Sequence, residues 1–235
     1  MFHDRRKDKP LKVKNRQDDK PKLNDAEVLR RAQTLLEKHL PLEADGYAVS
    51  SETLYQVLLG VVANQSTLEA VCAELADAPT GEAVRGYINE QIKVEDLARL
   101  EQRLNAALAA NWPQKLRRGG ALEVAIDFHD RSYYGKTEQA DGLWVRGEAK
   151  DGTTRFYRVA TAYAIVRGQR VTLGLRFVLP EVKTVAVVAA LWQGLRARAL
   201  RIACFYFDKG FASVEIFEYL QKRQQPALIA CPIRG

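Results

Sequence analysis

Two aspartates, Asp127 and Asp208, each follow an apolar run that reads as a buried β-strand: LEVAI over 122–126 and IACFYF over 202–207. Apolar runs of this length, bounded by turn residues, bury their faces in a sheet. A carboxylate avoids burial, and in open α/β sheets the carboxyl ends of strands are where ligands and reacting groups gather. An acid at that edge therefore suggests a metal or catalytic site. If the two strands are neighbours, their acids share that edge and repel each other unless a cation lies between them. Oxygen-only ligands select Mg²⁺ or Mn²⁺ over zinc.

The elements needed to bring the two acids together are legible in order. Strand one is Leu122–Asp127, strand two Thr154–Val166, and strand three Arg170–Leu179. The short turn at 167–169 makes a hairpin of strands two and three. A helix over Lys183–Arg198 carries Val185, Val188, Leu191, Trp192 and Leu195 at the spacing that docks on a sheet. Strand four is Ile202–Phe207, a helix covers Ser213–Gln224, and strand five is Ala227–Cys231. The order βββαβαβ with right-handed crossovers builds a mixed α/β sheet in the spatial order 3-2-1-4-5. Strand four then lies parallel to strand one, with Asp127 and Asp208 roughly 5 Å apart in the sheet direction.

Ahead of this sheet the pattern is helical: an apolar stripe from Val28 to Leu40, then Ser51–Val62, Thr67–Ala76, Thr80–Gln91 and Val94–Asn111. The second and third of these read either as a helix-turn-helix that contacts DNA or as an ordinary bundle. The segment 68–76 holds Glu69 and Glu74 and no Lys or Arg, which favours the bundle. The basic stretch PQKLRRGG over 113–120 reads as a linker. Three regions result: a basic arm over 1–24, an all-α region over 25–118 with a DNA-binding or positioning role, and the sheet region over 119–235.

Composition sets limits on function. The 235 residues are 47% apolar and carry a net charge of +7. No apolar stretch approaches the roughly 18 residues of a membrane span, and no hydrophobic leader opens the sequence. Cys72, Cys204 and Cys231 show no paired or metal-binding spacing. Most of the charge sits in the arm, where nine Lys or Arg face four Asp. Such a segment does not order by itself; it reads as a solvated tail or as an arm that neutralises DNA phosphates.

The cluster IDFHDRSYYGK around Asp127 and the string FDKGF over 207–211 together resemble the first two acidic regions of insertion-sequence transposases of the DDE type. The likeness covers about residues 118–235. It implies a ribonuclease-H-like sheet in which carboxylates hold two divalent ions for DNA cleavage and strand transfer, with Asp127 bridging both ions and Asp208 ligating one. It also implies transposon-end and target DNA as partners, a homodimer or higher assembly, and a cytoplasmic, nucleoid-associated location. The family's third ligand is a Glu in a Tyr-Arg-Glu-Lys signature on a helix after strand five. Nothing up to Gly235 matches it, so the chain reads as a carboxyl-terminally truncated copy.

The alternatives are a noncatalytic DNA-binding remnant and a stand-alone ribonuclease-H-like nuclease. Glu181, Glu215 and Glu218 are weak substitutes for the missing acid. Around the aspartates, His129 and Asp130 read as metal or DNA contacts or as a solvated pair. Tyr133 and Tyr134 read as packing residues or as a stacking surface for an unpaired base. Lys136, Arg146, Lys150 and Lys209 read as phosphate contacts or as solvated surface charges.

Overall fold

A computed structural model describes residues 24–44, 46, 49–75, 79–114, 116, 119–135 and 142–231. The basic arm through residue 23 and Lys136 lie outside the described residues.

Five helices come first: α1 (Asp25–His39), α2 (Ser51–Asn64), α3 (Leu68–Glu74), α4 (Gly81–Gln91) and α5 (Leu97–Ala110). Side-chain caps define their starts. Asn24 and Glu27 form a reciprocal capping box, and Ser50, Thr67 and Thr80 each accept from the amide three residues on. These bonds satisfy donors that a first turn leaves free. Helices α2 to α4 close on Leu42, Leu54, Tyr55, Val57, Val71 and Val84. The Tyr55 hydroxyl accepts from the Leu42 amide at 2.8 Å and donates to the Leu40 carbonyl at 3.1 Å, locking the chain after α1 onto that cluster. Helices α3 and α4 meet at Gly81, where a Cβ would stand 2.9 Å from the Glu69 backbone.

Six strands follow: β1 (Leu122–Ser132), β2 (Val145–Lys150), β3 (Thr153–Val166), β4 (Gln169–Val178), β5 (Ile202–Phe207) and β6 (Ala227–Ile229). Helix α6 (Thr184–Ala197) joins β4 to β5, and α7 (Val214–Lys222) joins β5 to β6. The long β3 pairs with β1 on one side and with β2 and β4 on the other. Strand β5 is parallel to β1, and β6 is parallel to β5.

Two expectations from the sequence need correction. The segment read as a connection between the first two strands contains β2, so four strands precede α6 rather than three. Its sequence VRGEAK alternates Val145, Gly147 and Ala149 with Arg146, Glu148 and Lys150, but Gly and Ala offer little apolar surface and four of six positions are exposed, so the alternation is too weak to announce a strand. Strand β1 also continues to Ser132, which pairs with Phe156. Asp127 thus lies in the middle of the strand rather than at its end, and His129 and Asp130, beyond the expected end at Asp127, are strand residues.

Alternation along the strands sorts the two faces. Val124, Ile126, Ala160, Ala162, Ala164, Phe205 and Phe207 point into one core with Val187, Val188, Leu191, Trp192 and Leu195 of α6 and Ile216 and Leu220 of α7. Fully burying each large apolar side chain contributes about 1.5–3 kcal/mol. Ala125, Asp127, Thr161, Tyr163, Cys204 and Tyr206 belong to the other face, and none of them is fully buried.

Helix α5 lies along the outer edge of β4. Asn105 donates to the Leu175 carbonyl and accepts from its amide, both at 2.9 Å. Glu101 accepts from the Phe177 amide at 2.9 Å and from Arg176 at 3.0 Å. The Trp112 indole donates to the Thr172 carbonyl at 3.1 Å. Backbone groups that an edge strand leaves unpaired thereby find partners. Trp112 and Leu116 bury within the sheet's core.

Candidate functional site

Strand pairing brings the two aspartates side by side. Ile126 of β1 is in register with Phe207 of β5, and Asp127 and Asp208 are the next residues on these parallel strands, about one strand spacing (roughly 4.8 Å) apart. Asp208 keeps an extended backbone, φ −75° and ψ 178°. Strand alternation therefore continues through it and sets its side chain on the face of Tyr206 and Asp127. Asp127 is half-buried and Asp208 exposed.

Each acid is positioned from the core side by an aromatic neighbour. Phe128 follows Asp127, and Phe211 closes the one-turn 3₁₀ segment Lys209–Phe211 that Asp208 caps. Their rings stack with centroids 4.5 Å apart and planes 16° from parallel. Phe207 lies against Phe211, and Phe205 against Phe207 and Trp192. Asp208 Oδ1 accepts from the Gly210 amide at 2.9 Å, which fixes one carboxylate oxygen and leaves Oδ2. The Asp127 carboxylate has no hydrogen bond or ion pair among the described residues.

The other sequence-predicted residues divide between this face and elsewhere. His129 stays close: its Nε2 lies 2.8 Å from the Thr161 hydroxyl, and Thr161 is the register partner of Asp127. Asp130 is on the opposite face, engaged by Arg158 through bonds of 2.6 and 2.8 Å. Arg158 also lies over the Phe128 ring, 5.0 Å from its centroid, and the hydrogen bond to Asp130 pushes its guanidinium pKa up further. This fixed pair replaces the metal or DNA contact, and the solvated pair, read for Asp130 from the sequence.

Tyr133 and Tyr134 follow the end of β1, six and seven residues past Asp127 and so about 20 Å away along the strand at its normal rise. Tyr133 packs edge-on against Tyr157. Tyr134 donates to the Asp151 carbonyl at 2.8 Å and is 69% exposed. Lys209 is exposed immediately after Asp208. Arg146 lies over Trp144, 6.0 Å from its centroid.

No third acid joins the aspartates: among the described residues, no group of three or more His, Cys, Asp or Glu side chains is arranged to hold a metal ion. Glu215 belongs to the first turn of α7, where hydrogen bonds from its own backbone and from Ser213 hold its carboxyl below the usual range. Tyr206, on the aspartates' face, is pushed up by the Glu123 carboxylate bonded to its hydroxyl. A hard divalent cation that keeps most of its waters needs only one or two protein carboxylates, and Asp127 together with the free oxygen of Asp208 fits that donor set.

Thr161, Tyr163 and Arg170 are also on this face and were not singled out by the sequence. Arg170 lies over the Tyr163 ring, 3.7 Å from its centroid, and its Nη2 is 3.5 Å from His129 Nε2. These residues meet through strand register over separations of up to 41 positions, and no local pattern announces that. Among the described residues no helix is long and apolar enough to cross a membrane.

No protein-family model matches the chain, and no curated protein matches it in sequence. Among solved structures it is similar to the piggyBac transposase in its synaptic complex with hairpin DNA, with a TM-score of 0.48 and 11% identity over 89% of this chain and 48% of that one. It is also similar to the Drosophila P element transposase in its strand transfer complex, with a TM-score of 0.38 and 8% identity over 84% of this chain and 41% of that one. The chain spans about half the length of the first and less of the second. At these scores, strand topology and carboxylate placement are the basis for a functional reading.

Proposed function

We propose that the sheet is ribonuclease-H-like and that Asp127 and Asp208 are two of the carboxylates of a DDE-type transposase centre, of the kind found in insertion sequences, which cleaves and joins DNA. One observation carries the reading: two acids on neighbouring parallel strands, each one residue past the register pair Ile126 and Phe207. Asp127 and Asp208 would hold Mg²⁺ or Mn²⁺, and the bound cation supplies Lewis-acid activation of a phosphodiester and of the attacking water. The residues of this chain hold the carboxylates at a set separation and keep the 208–211 turn closed through the Gly210 amide. Lys209 offers a charge to a backbone phosphate. Transposon-end DNA, target DNA and a further copy of the chain are the partners this reading entails.

The test is nicking of supercoiled plasmid by the full chain with Mg²⁺ or Mn²⁺, in wild type and in Asp127→Asn and Asp208→Asn variants. Both substitutions preserve shape, and the side-chain oxygen that Asp208→Asn retains can still cap the Gly210 amide. Metal-dependent nicking by the wild type, lost in each variant, is expected, as is a rise in melting temperature with Mg²⁺ that the wild type shows and the variants do not. DNA binding without nicking, with no metal-induced stabilisation in any form, would overturn the enzymatic reading in favour of a binding remnant. Cleavage confined to RNA–DNA hybrids would point to a ribonuclease instead.

A further inference from the structure

From the geometry of the aspartate face we infer a second, cationic subsite: Arg170, laid on Tyr163 and against His129, binds a backbone phosphate of the nucleic acid next to the one that lies over Asp127 and Asp208. The inference rests on the reading above for what occupies the carboxylates, and on separate observations for the arginine.

The first observation is that Arg170 is held in place without being neutralised. Its guanidinium carbon stands 3.7 Å from the Tyr163 ring centroid, close enough for a stacked cation–π contact. Its Nη2 meets His129 Nε2 at 3.5 Å. A guanidinium only donates, so the imidazole edge facing it presents a lone pair, not a charge that could offset its own. Among the described residues no carboxylate pairs with Arg170, whereas Arg99, Arg158 and Arg176 each have one.

The second observation is position. Thr161, the register partner of Asp127, bonds His129, and His129 meets Arg170. A continuous polar strip thus crosses β5, β1, β3 and β4 on the side away from α6 and α7. Strand β4 is two strand spacings from β1, about 10 Å, and Arg170 pairs with Ile165, four residues along β3 from Thr161, so its side chain runs back over Tyr163 to reach His129. An anion held at Arg170 is therefore beside the carboxylates and not on top of them.

The third observation is chemical. A planar fork of donors, exposed and preset by stacking, matches the paired oxygens of a phosphodiester. Holding a neighbouring phosphate there fixes the direction in which the strand runs across the acids. Arg170 is a positioning residue: it touches the backbone beside the reacting group and takes no part in bond breaking.

The experiment is equilibrium binding of the full chain to a short labelled DNA duplex without divalent ions. It compares wild type with Arg170→Ala, Arg170→Lys and Arg223→Ala. Arg223 is the matched control, an arginine stacked on Tyr219 at 3.8 Å on the helical side of the sheet. Losing one phosphate contact reduces the salt slope by about one, so the advantage of wild type over Arg170→Ala should shrink about 3-fold between roughly 50 and 200 mM salt. Arg170→Lys should keep the slope, and Arg223→Ala should match wild type. Equal melting temperatures verify that the variants are folded. Wild-type affinity and slope in Arg170→Ala, or an equal loss in Arg223→Ala, would overturn the subsite. If Arg170→Ala loses the slope while Asp127→Asn leaves nicking intact, the subsite stands and the carboxylate assignment falls.

Discussion

Replacing Asn105 with alanine should loosen the joint between the helices and the sheet, and the structure gives its size. The amide of Asn105 closes two bonds at 2.9 Å to the amide and carbonyl of Leu175, on the edge strand β4, in a half-buried setting. Removing a partner leaves both backbone groups short of a bond, and a net loss near 1 kcal/mol for each gives about 2 kcal/mol. For a chain of this size that is a fall of about 4–8 °C in melting temperature. Asn105→Asp should cost at least as much. It retains an acceptor for the Leu175 amide but turns oxygen lone pairs toward the Leu175 and Glu101 carbonyls that the side-chain amide now reaches. Urea unfolding measures the loss, and hydrogen exchange at the Leu175 amide locates it. A change below about 0.5 kcal/mol, with Leu175 still protected, would show that water replaces the side chain at no penalty and that the edge needs no clamp.

Other perturbations have equally definite outcomes. Gly81→Ala drives a methyl group into the Glu69 backbone, 2.9 Å away, and should destabilise by about 1–3 kcal/mol. Gly86→Ala, in the same helix with nothing within 4 Å of the new atom, should stabilise by about 0.5–1 kcal/mol; urea midpoints distinguish the two. A double-mutant cycle on Asp130→Asn and Arg158→Met should return a coupling of about 1 kcal/mol, since both partners are partly shielded and bonded through two atoms. Thiol labelling of the native protein should modify exposed Cys231 first and buried Cys72 last. Burial pushes the Cys72 thiol up, so its support for the folded state is intact below the unfolded value and lost as pH rises through the folded one. Cys72→Ala should therefore lose stability less steeply in alkali.

The helices and the buried strands were legible because their apolar spacing follows the structure's own periods. Thr80, for example, caps α4 where the sequence placed a helix start, and Trp192 and Leu195 dock where their stripe indicated. The sequence also indicated that Asp127 and Asp208 lie side by side, because each follows a run of core residues on strands that pair in parallel. It failed where strands leave the core. HDRS over 129–132 and VRGEAK over 145–150 form strands by pairing with β3; the first is polar on both faces, and the second sets only Val145, Gly147 and Ala149 against its charges, so hydrophobic periodicity carries little trace of them. Asp130 was read without its partner because Arg158 is 28 positions away and meets it only through antiparallel register. Arg170 was overlooked for the same reason: its setting is created by Tyr163 and His129 on two other strands.

The stack of Phe128 on Phe211 gives the protein's interior and its surface a shared energetic account. Since one ring follows Asp127 and the other closes the turn begun by Asp208, the spacing of the acids cannot change without sliding the rings. Whatever occupies the acids must then be felt in the packing behind them, and by reciprocity loosened packing must weaken that occupancy by the same free energy. A substitution such as Phe211→Leu, which touches neither carboxylate oxygen, would thus act as a remote control on ligand affinity.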